Sequence, residues 1–226
     1  IFLPTDYVGR NEWFWPDQMA FLWQAIADRK QRGEATKAVE EVLSGCLDGD
    51  MSCVIPTMAD HQRAADEIIE RCKHLPIDRI RKLVHTLASA LDVTLPLDRV
   101  IVNWDEVREM SREGVSFGSH SCTHRIMTTI TSDEVSEELL RSRQVLVDQG
   151  INYVPVFCYP NGNSDASIEG LVKASGYEAA VSVRMGLEGR GPENGYAIRR
   201  VGIHNDISDT IPLFSFRLFG PQPGSA

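Results

Sequence analysis

No apolar run in this chain approaches the roughly 20 residues that a membrane-spanning helix needs, and no block of Lys and Arg marks a nucleic-acid or anionic-membrane footprint. A formal charge of -9 and a pI near 5.2 extend the second exclusion, because a surface rich in carboxylates repels polyanions. A small neutral or sugar-like substrate fits better. Cysteine is sparse and irregular: Cys46, Cys53, Cys72, Cys122 and Cys158 are an odd set without a repeating spacing, which excludes a full disulfide framework. Free thiols point to a reducing, cytoplasmic setting, with the cell envelope as the alternative. The opening Ile1-Phe2-Leu3-Pro4-Thr5 has no initiating Met and lacks the basic start and long apolar centre of a signal peptide. It reads as the end of a buried strand, so the expectation is that the chain begins inside a domain.

What is present is enough for a core: 42% of the 226 residues are hydrophobic, which allows one large domain or two small ones. From Pro16 to Val93 the pattern predicts helices only. Pro16 suits a first helical turn, and Met19, Leu22, Trp23 and Ile26 follow at helical spacing until Gly33. A second helix carries Val39, Val42 and Leu43 before Gly45, and a third runs from the Thr57 region through Ile68, Ile69 and Cys72. A fourth shows the clearest stripe, Ile80, Leu83, Val84, Leu87 and Leu91.

From Val100 onward strands and helices alternate. Val100-Ile101-Val102 is a short apolar run, Asn103 is the N-cap of a helix that Gly114 ends, and Val115–Gly118 is a strand. Thr131 with Glu134 predicts a capping box on a helix carrying Val135, Leu139, Leu140, Val145, Leu146 and Val147 as far as Gly150. Val154–Cys158 is the next strand, followed by a turn at Tyr159-Pro160-Asn161-Gly162 and a helix through Ile168, Leu171 and Val172 to Gly176. Ala179–Val183 and Ala197–Ile203 are further strands. Repeated strand–loop–helix units favour a parallel α/β sheet or barrel, with chemistry on the loops at the C-terminal strand ends. His120 and Tyr159 sit at two such ends.

His120 and His124, at the close of the string Val115-Ser116-Phe117-Gly118-Ser119-His120-Ser121-Cys122-Thr123-His124, are the strongest chemical signal. The Ser-Cys-Thr loop between them can fold both imidazoles onto one ion. A hydrolytic metal has three protein ligands and an open position for water, so a third ligand is required. The bland alternative is one histidine satisfied by a backbone carbonyl and the other in solvent. Cys122 is either a soft ligand or, in the simpler reading, a small core thiol.

The string Ser119-His120-Ser121-Cys122-Thr123-His124 after one strand, and Phe157-Cys158-Tyr159-Pro160-Asn161-Gly162 after the next, resembles the second and third motifs of the polysaccharide deacetylases, carbohydrate esterase family 4 with the NodB-homology domain. The resemblance covers Val100 to about Ile203 well and Phe2 to Gly9 loosely. It implies an α/β fold, a distorted (β/α) barrel, with residues 1–15 and 98–219 as the barrel, residues 16–97 as an all-α insertion and residues 220–226 as a disordered tail. It implies metal-dependent removal of acetyl groups from N-acetylated carbohydrates, with His120 and His124 as ligands of zinc or a similar divalent ion.

The family's third ligand and general base are adjacent aspartates in a Thr-Phe-Asp-Asp-Gly motif on the first strand. That motif is absent here, so the resemblance implies a barrel incomplete at the N-terminus, a missing third ligand and a poorly active fragment. Asp6, Asp17 and Asp105 do not stand in the matching setting. Cys158 replaces the Arg that many relatives carry before the turn, which puts the ion pair that orients the base in doubt.

The remaining roles implied by the resemblance fall on the turn and on a late histidine. The Asn161 backbone N–H would donate to the oxyanion, Tyr159, Pro160 and Gly162 would shape the sugar site, and His204 would protonate the leaving amine. Each has a plainer alternative: Tyr159 can simply pack, the Pro-Asn-Gly sequence can be an ordinary turn, and His204 can be a loop histidine paired with Asp206. His61, His74 and His85 fall among the helices, where solvated or packing roles suit them. Two other functions stay open, a hydrolase of another non-peptide C–N bond such as a cyclic amide, and a non-catalytic binding module whose helical insertion contacts a protein.

Overall fold

The computed structural model describes residues 1–34, 36–46, 61–203 and 208–220. The chain divides into two compact units, one formed by Arg10–Val100 and the other by Ile1–Gly9 with Ile101–Ala226. No helix among the described residues is long and apolar enough to cross a membrane.

The unit from Arg10 to Val100 is built from α1 (Trp15–Gln31), α2 (Lys37–Cys46), α3 (His61–Cys72) and α4 (Ile77–Ala90). Its core is the set of apolar stripes read from the sequence. Met19, Leu22, Trp23 and Ile26 of α1 are buried against Val39 and Leu43, Ile68 and Cys72, and Ile80, Leu83, Val84 and Leu87. Fully burying each such side chain contributes about 1.5–3 kcal/mol, which is why amphipathic stripes rather than helix propensity determine this unit. Pro16 sits in the first turn, and the chain leaves α1 through Gly33 at a φ of 72°. α2 differs from expectation by continuing through Gly45 to Cys46, since one glycine costs only about 1 kcal/mol in a helix that packing supports. The Thr57 region lies outside the described residues.

The second unit is an α/β layer. Strands β1 (Phe2–Leu3), β2 (Phe117–Ser119), β3 (Tyr153–Cys158), β4 (Ala179–Met185) and β5 (Ile198–Arg200) form one parallel sheet in that order. Helices α5 (Trp104–Arg112), α6 (Ser132–Asp148) and α7 (Ala166–Ala174) connect them, and α8 (Ile211–Phe219) follows. Both capping boxes form: Asn103 with Glu106 starts α5, and Thr131 with Glu134 starts α6. Gly114, Gly150 and Gly176 end helices at φ values of 91°, 63° and 83°.

Several local expectations change. Val100-Ile101-Val102 forms no strand; the Val102 carbonyl instead accepts the Gly9 amide at 3.0 Å. Leu140 and Val147 point to solvent, because the buried stripe of α6 runs through Val135, Glu138, Leu139, Ser142 and Leu146. The helix at Ile211–Phe219 was not expected, and the tail after Gly220 lies outside the described residues. Strand β3 contains Pro155, which has no N–H for a ladder. The pairing with β2 accommodates it by a register shift: Phe117 faces Tyr153 and Ser119 faces Phe157, so three residues of β2 span five of β3.

Parallel pairing puts the C-terminal ends of β1, β2 and β3 on one edge. Leu3 faces Ser119, and Ser119 faces Phe157. The residues that follow them, Pro4–Asp6, His120–His124 and Tyr159–Gly162, therefore gather at that edge.

Candidate active site

The loop after β2 begins with His120, whose backbone N–H donates to the Leu3 carbonyl at 3.0 Å. The loop then turns twice through backbone conformations unusual for residues with a side chain, at Ser121 (φ 64°) and His124 (φ 59°). The Ser121 hydroxyl accepts the His124 amide at 2.9 Å, which closes the loop. Its outer side is tied to the β1 loop, where the Thr5 and Asp6 amides donate to the Ser121 and Cys122 carbonyls at 3.1 and 3.0 Å.

The consequence is a close pair of imidazoles. The Nε2 atoms of His120 and His124 are 3.2 Å apart, with the rings edge to face. His120 Nδ1 lies 2.7 Å from the Cys158 carbonyl, which can only accept, so the proton sits on Nδ1 and Nε2 presents its lone pair in the neutral ring. Burial pushes the His120 pKa down, with the nearby Arg200 charge acting in the same direction and the Cys158 hydrogen bond opposing it. Burial also pushes His124 down, to about 4, helped by its neighbour His120 and opposed by a hydrogen bond to its own backbone. Both rings are thereby held neutral at pH 7.

This donor set fits two positions of a metal centre. Two nitrogens each about 2.0–2.1 Å from one tetrahedral ion lie about 3.3 Å from each other, close to the separation found here. A backbone carbonyl fixing the non-ligating Nδ1–H is the usual outer support of a metal-binding histidine. Among the described residues no group of three His, Cys, Asp or Glu side chains gathers to complete such a site. Cys122 is fully buried with its thiol directed at the Glu138 carbonyl oxygen, and burial pushes its pKa up to about 11. It is a core thiol. Asp6 lies beside the loop in space, its amide bonded to the Cys122 carbonyl, but its carboxylate is engaged by Arg141 through two bonds of 3.1 and 2.9 Å.

The turn after β3 starts one residue beyond the carbonyl that orients His120. Pro160 is buried, Asn161 adopts a φ of 57°, and the Gly162 amide donates to the Tyr159 carbonyl at 2.9 Å. The side chain of Tyr159 packs: it is 1% exposed, stacks edge-on to Phe157, and donates its hydroxyl to the Tyr196 carbonyl at 2.8 Å. Its contribution to a sugar site is therefore confined to shaping the turn from below. At Gly162 the φ is 77° and an added Cβ would lie 2.3 Å from a Val183 methyl. Gly162→Ala combines left-handed strain with overpacking and is expected to destabilise this unit by roughly 2–4 kcal/mol in urea unfolding. His204 lies outside the described residues, and His74 and His85 are exposed in the helical unit.

Two residues at this edge were missed by the sequence reading. Glu138, buried on α6, accepts the Cys122 and Thr123 amides at 2.8 and 2.9 Å. The available signal was a carboxylate inside the α6 core stripe. Arg200, at the end of β5, donates to the Ser182 carbonyl at 2.7 Å and lies beside the Cys158 thiol, where its charge and hydrogen bond oppose the upward push of burial. Its signal was a cation at the C-terminal end of a late strand.

A family model described as polysaccharide deacetylase matches residues 82–180. No curated protein matches the chain. Among solved structures, a polysaccharide deacetylase from Bacillus cereus aligns at 26% identity and a TM-score of 0.45, over 52% of this chain and 36% of that one. This chain thus spans only about a third of that protein's length. The Streptococcus pyogenes deacetylase PplD in complex with acetate aligns at 16% identity and a TM-score of 0.39, over 82% of this chain and 80% of that one. The matched stretch contains β2, β3, the histidine loop and the Tyr159–Gly162 turn, and over it this chain is similar to the polysaccharide deacetylases.

Proposed function

We propose that this protein hydrolyses the N-acetyl group of an acetylated carbohydrate, a non-peptide C–N amide bond, with a divalent metal, zinc by preference, held in part by His120 and His124. The observation that carries the reading is the 3.2 Å approach of the two Nε2 atoms, with the Nδ1 of His120 already committed to the Cys158 carbonyl. When bound, the ion polarises the acetyl carbonyl and makes a water acidic enough to serve as nucleophile near neutral pH.

This chain's own groups do the rest. The Cys158 carbonyl holds the His120 tautomer. The Asn161 backbone N–H donates to the oxygen on which negative charge develops, where a fixed donor is worth most in the tetrahedral state. Pro160 and Gly162 set the direction of that donor. His204 gives its proton to the departing amine. The parallel sheet is a section of a distorted (β/α) barrel whose strand ends carry the site. No third His, Cys, Asp or Glu ligand gathers with the pair among the described residues, so the activity expected of the chain alone is low.

The test is acetate release from N-acetylated oligosaccharides, with zinc supplied and after chelation. It is run on the chain and on the chain preceded by whatever residues its coding sequence places ahead of Ile1. Metal-dependent release that chelation abolishes supports the reading. Release that survives chelation, or hydrolysis confined to cyclic amides, rejects it.

A further inference from the structure

Glu138 is a carboxylate in an apolar stripe, 5% exposed, between Val135 and Leu139 on one side and Ser142 on the next turn. A buried carboxylate is costly to desolvate unless donors replace water. Here the donors come from the histidine loop. Oε2 accepts the consecutive backbone amides of Cys122 and Thr123 at 2.8 and 2.9 Å, and Oε1 accepts the Thr123 hydroxyl at 2.5 Å. Cys122 directs its thiol to the carbonyl of the same residue.

The loop needs such a hold. Ser121 and His124 are both in the left-handed region, a conformation that is costly for a residue with a side chain and persists only where the surroundings determine it. The two residues between them are the two whose amides Glu138 binds. Their positions fix the path from residue 120 to residue 124, and hence the approach of the two rings. Arg141, one turn farther along α6, holds Asp6, whose backbone amide donates to the Cys122 carbonyl, so the same helix secures the loop from its other side.

We propose that Glu138 is the positioning residue of the imidazole pair: its carboxylate binds the Cys122 and Thr123 amides and holds the strained loop in the one path that brings His120 Nε2 and His124 Nε2 together. The role rests on the reading of these histidines as ligands, and it makes the affinity for the ion depend on a side chain that does not touch the ion.

The experiment compares the full chain with Glu138→Gln, Thr123→Val and Val172→Ala. Val172 is buried on α7 and serves as a control for general loss of stability. Gln keeps the size of Glu and one oxygen for the two amides, but it removes the charge that strengthens those bonds and puts an NH2 group where the Thr123 hydroxyl now donates. Cobalt(II) alone is titrated, and in metal-free protein the exchange of the Cys122 and Thr123 amides and the ring-to-ring nuclear Overhauser contact of His120 and His124 are followed.

Glu138→Gln is expected to weaken cobalt binding about tenfold, the low end of what loss of an outer-shell partner does, to speed exchange of those two amides at least tenfold and to weaken the ring contact. Thr123→Val, which removes only the hydroxyl bond, should shift all three readouts less and in the same direction. It decides the matter if Glu138→Gln fails to fold. Val172→Ala should lower the melting temperature and leave them unmoved.

Wild-type affinity with protected amides in Glu138→Gln would overturn the proposal, as would an equal loss of affinity in Val172→Ala. If the wild-type chain takes no cobalt, the ligand reading fails. The exchange and ring-contact measurements then still decide whether Glu138 positions the pair.

Discussion

Replacing His120 with asparagine is expected to reduce divalent-metal affinity at least about a hundredfold while leaving the protein folded. The substitution separates the two jobs of the ring. The asparagine amide nitrogen can take the place of Nδ1 and keep donating to the Cys158 carbonyl, a bond of 2.7 Å in the native loop. No lone pair is then left facing His124 Nε2. A typical hydrogen bond contributes about 0.5–1.5 kcal/mol net, so retaining it limits the change in melting temperature to a few degrees. Loss of an outer-shell partner alone costs 10–100-fold in affinity, and loss of a ligand exceeds that. Isothermal titration with zinc and differential scanning calorimetry measure the two effects side by side. Equal affinities for wild type and His120→Asn would exclude His120 as a ligand.

Acid should destabilise the metal-free protein through the same pair of rings. His124 falls from 6.5 to about 4 on folding, mainly by burial, and His120 moves in the same direction. A group whose folded pKa is lowered binds fewer protons in the native state than in the unfolded state between the two values. Stability therefore declines as pH drops from about 6.5 to about 4, and this contribution levels off below. For His124 the loss is up to about 3 kcal/mol, from about 1.4 kcal/mol for each pH unit of the window.

The carboxylates act in a lower range. Glu134, held at about 2 by the Thr131 amide, Arg125 and the Thr131 hydroxyl, loses its contribution only as pH falls below its unfolded value of 4.5. Urea midpoints measured with chelator between pH 7 and 4 should follow the histidine slope. His124→Gln should flatten that slope by more than half. A slope unchanged in the variant would show that the native ring is not kept neutral by its surroundings.

Much of this fold was legible because its determinants are local and periodic. The stripe Ile80, Leu83, Val84, Leu87 gives α4, Thr131 with Glu134 gives the start of α6, and glycines at 114, 150 and 176 give helix ends. The exceptions have non-local causes. Val102 looked like part of an apolar strand but satisfies Gly9, more than ninety residues away in sequence. Pro155 does not exclude β3 because β2 skips two residues around it. Nothing in the order of residues announces that pairing.

The site divides in the same way. His120 and His124 stood out because two imidazoles four apart after a strand are chemically conspicuous, and the turn at Pro160–Gly162 because of its composition. Their supports did not stand out. The Cys158 carbonyl is backbone and carries no sequence signature, and Glu138 reads as one more acidic residue in a helix until the loop is seen resting on it. The exposed apolar side chains of α8, Ile211, Phe216 and Phe219, were legible as hydrophobic but not as helical, since Pro212 and four aromatic or branched neighbours weaken the intrinsic preference.

The most direct test of a metal centre built on the histidine pair is a zinc titration of the isotopically labelled chain, followed by the long-range nitrogen–proton correlations of its imidazoles. Both Nε2 resonances, of His120 and His124, are expected to shift together and saturate at one ion per chain, while Nδ1 of His120 stays protonated on the Cys158 carbonyl. Nε2 resonances that remain in place up to millimolar zinc, or a shift of one ring without the other, would contradict it.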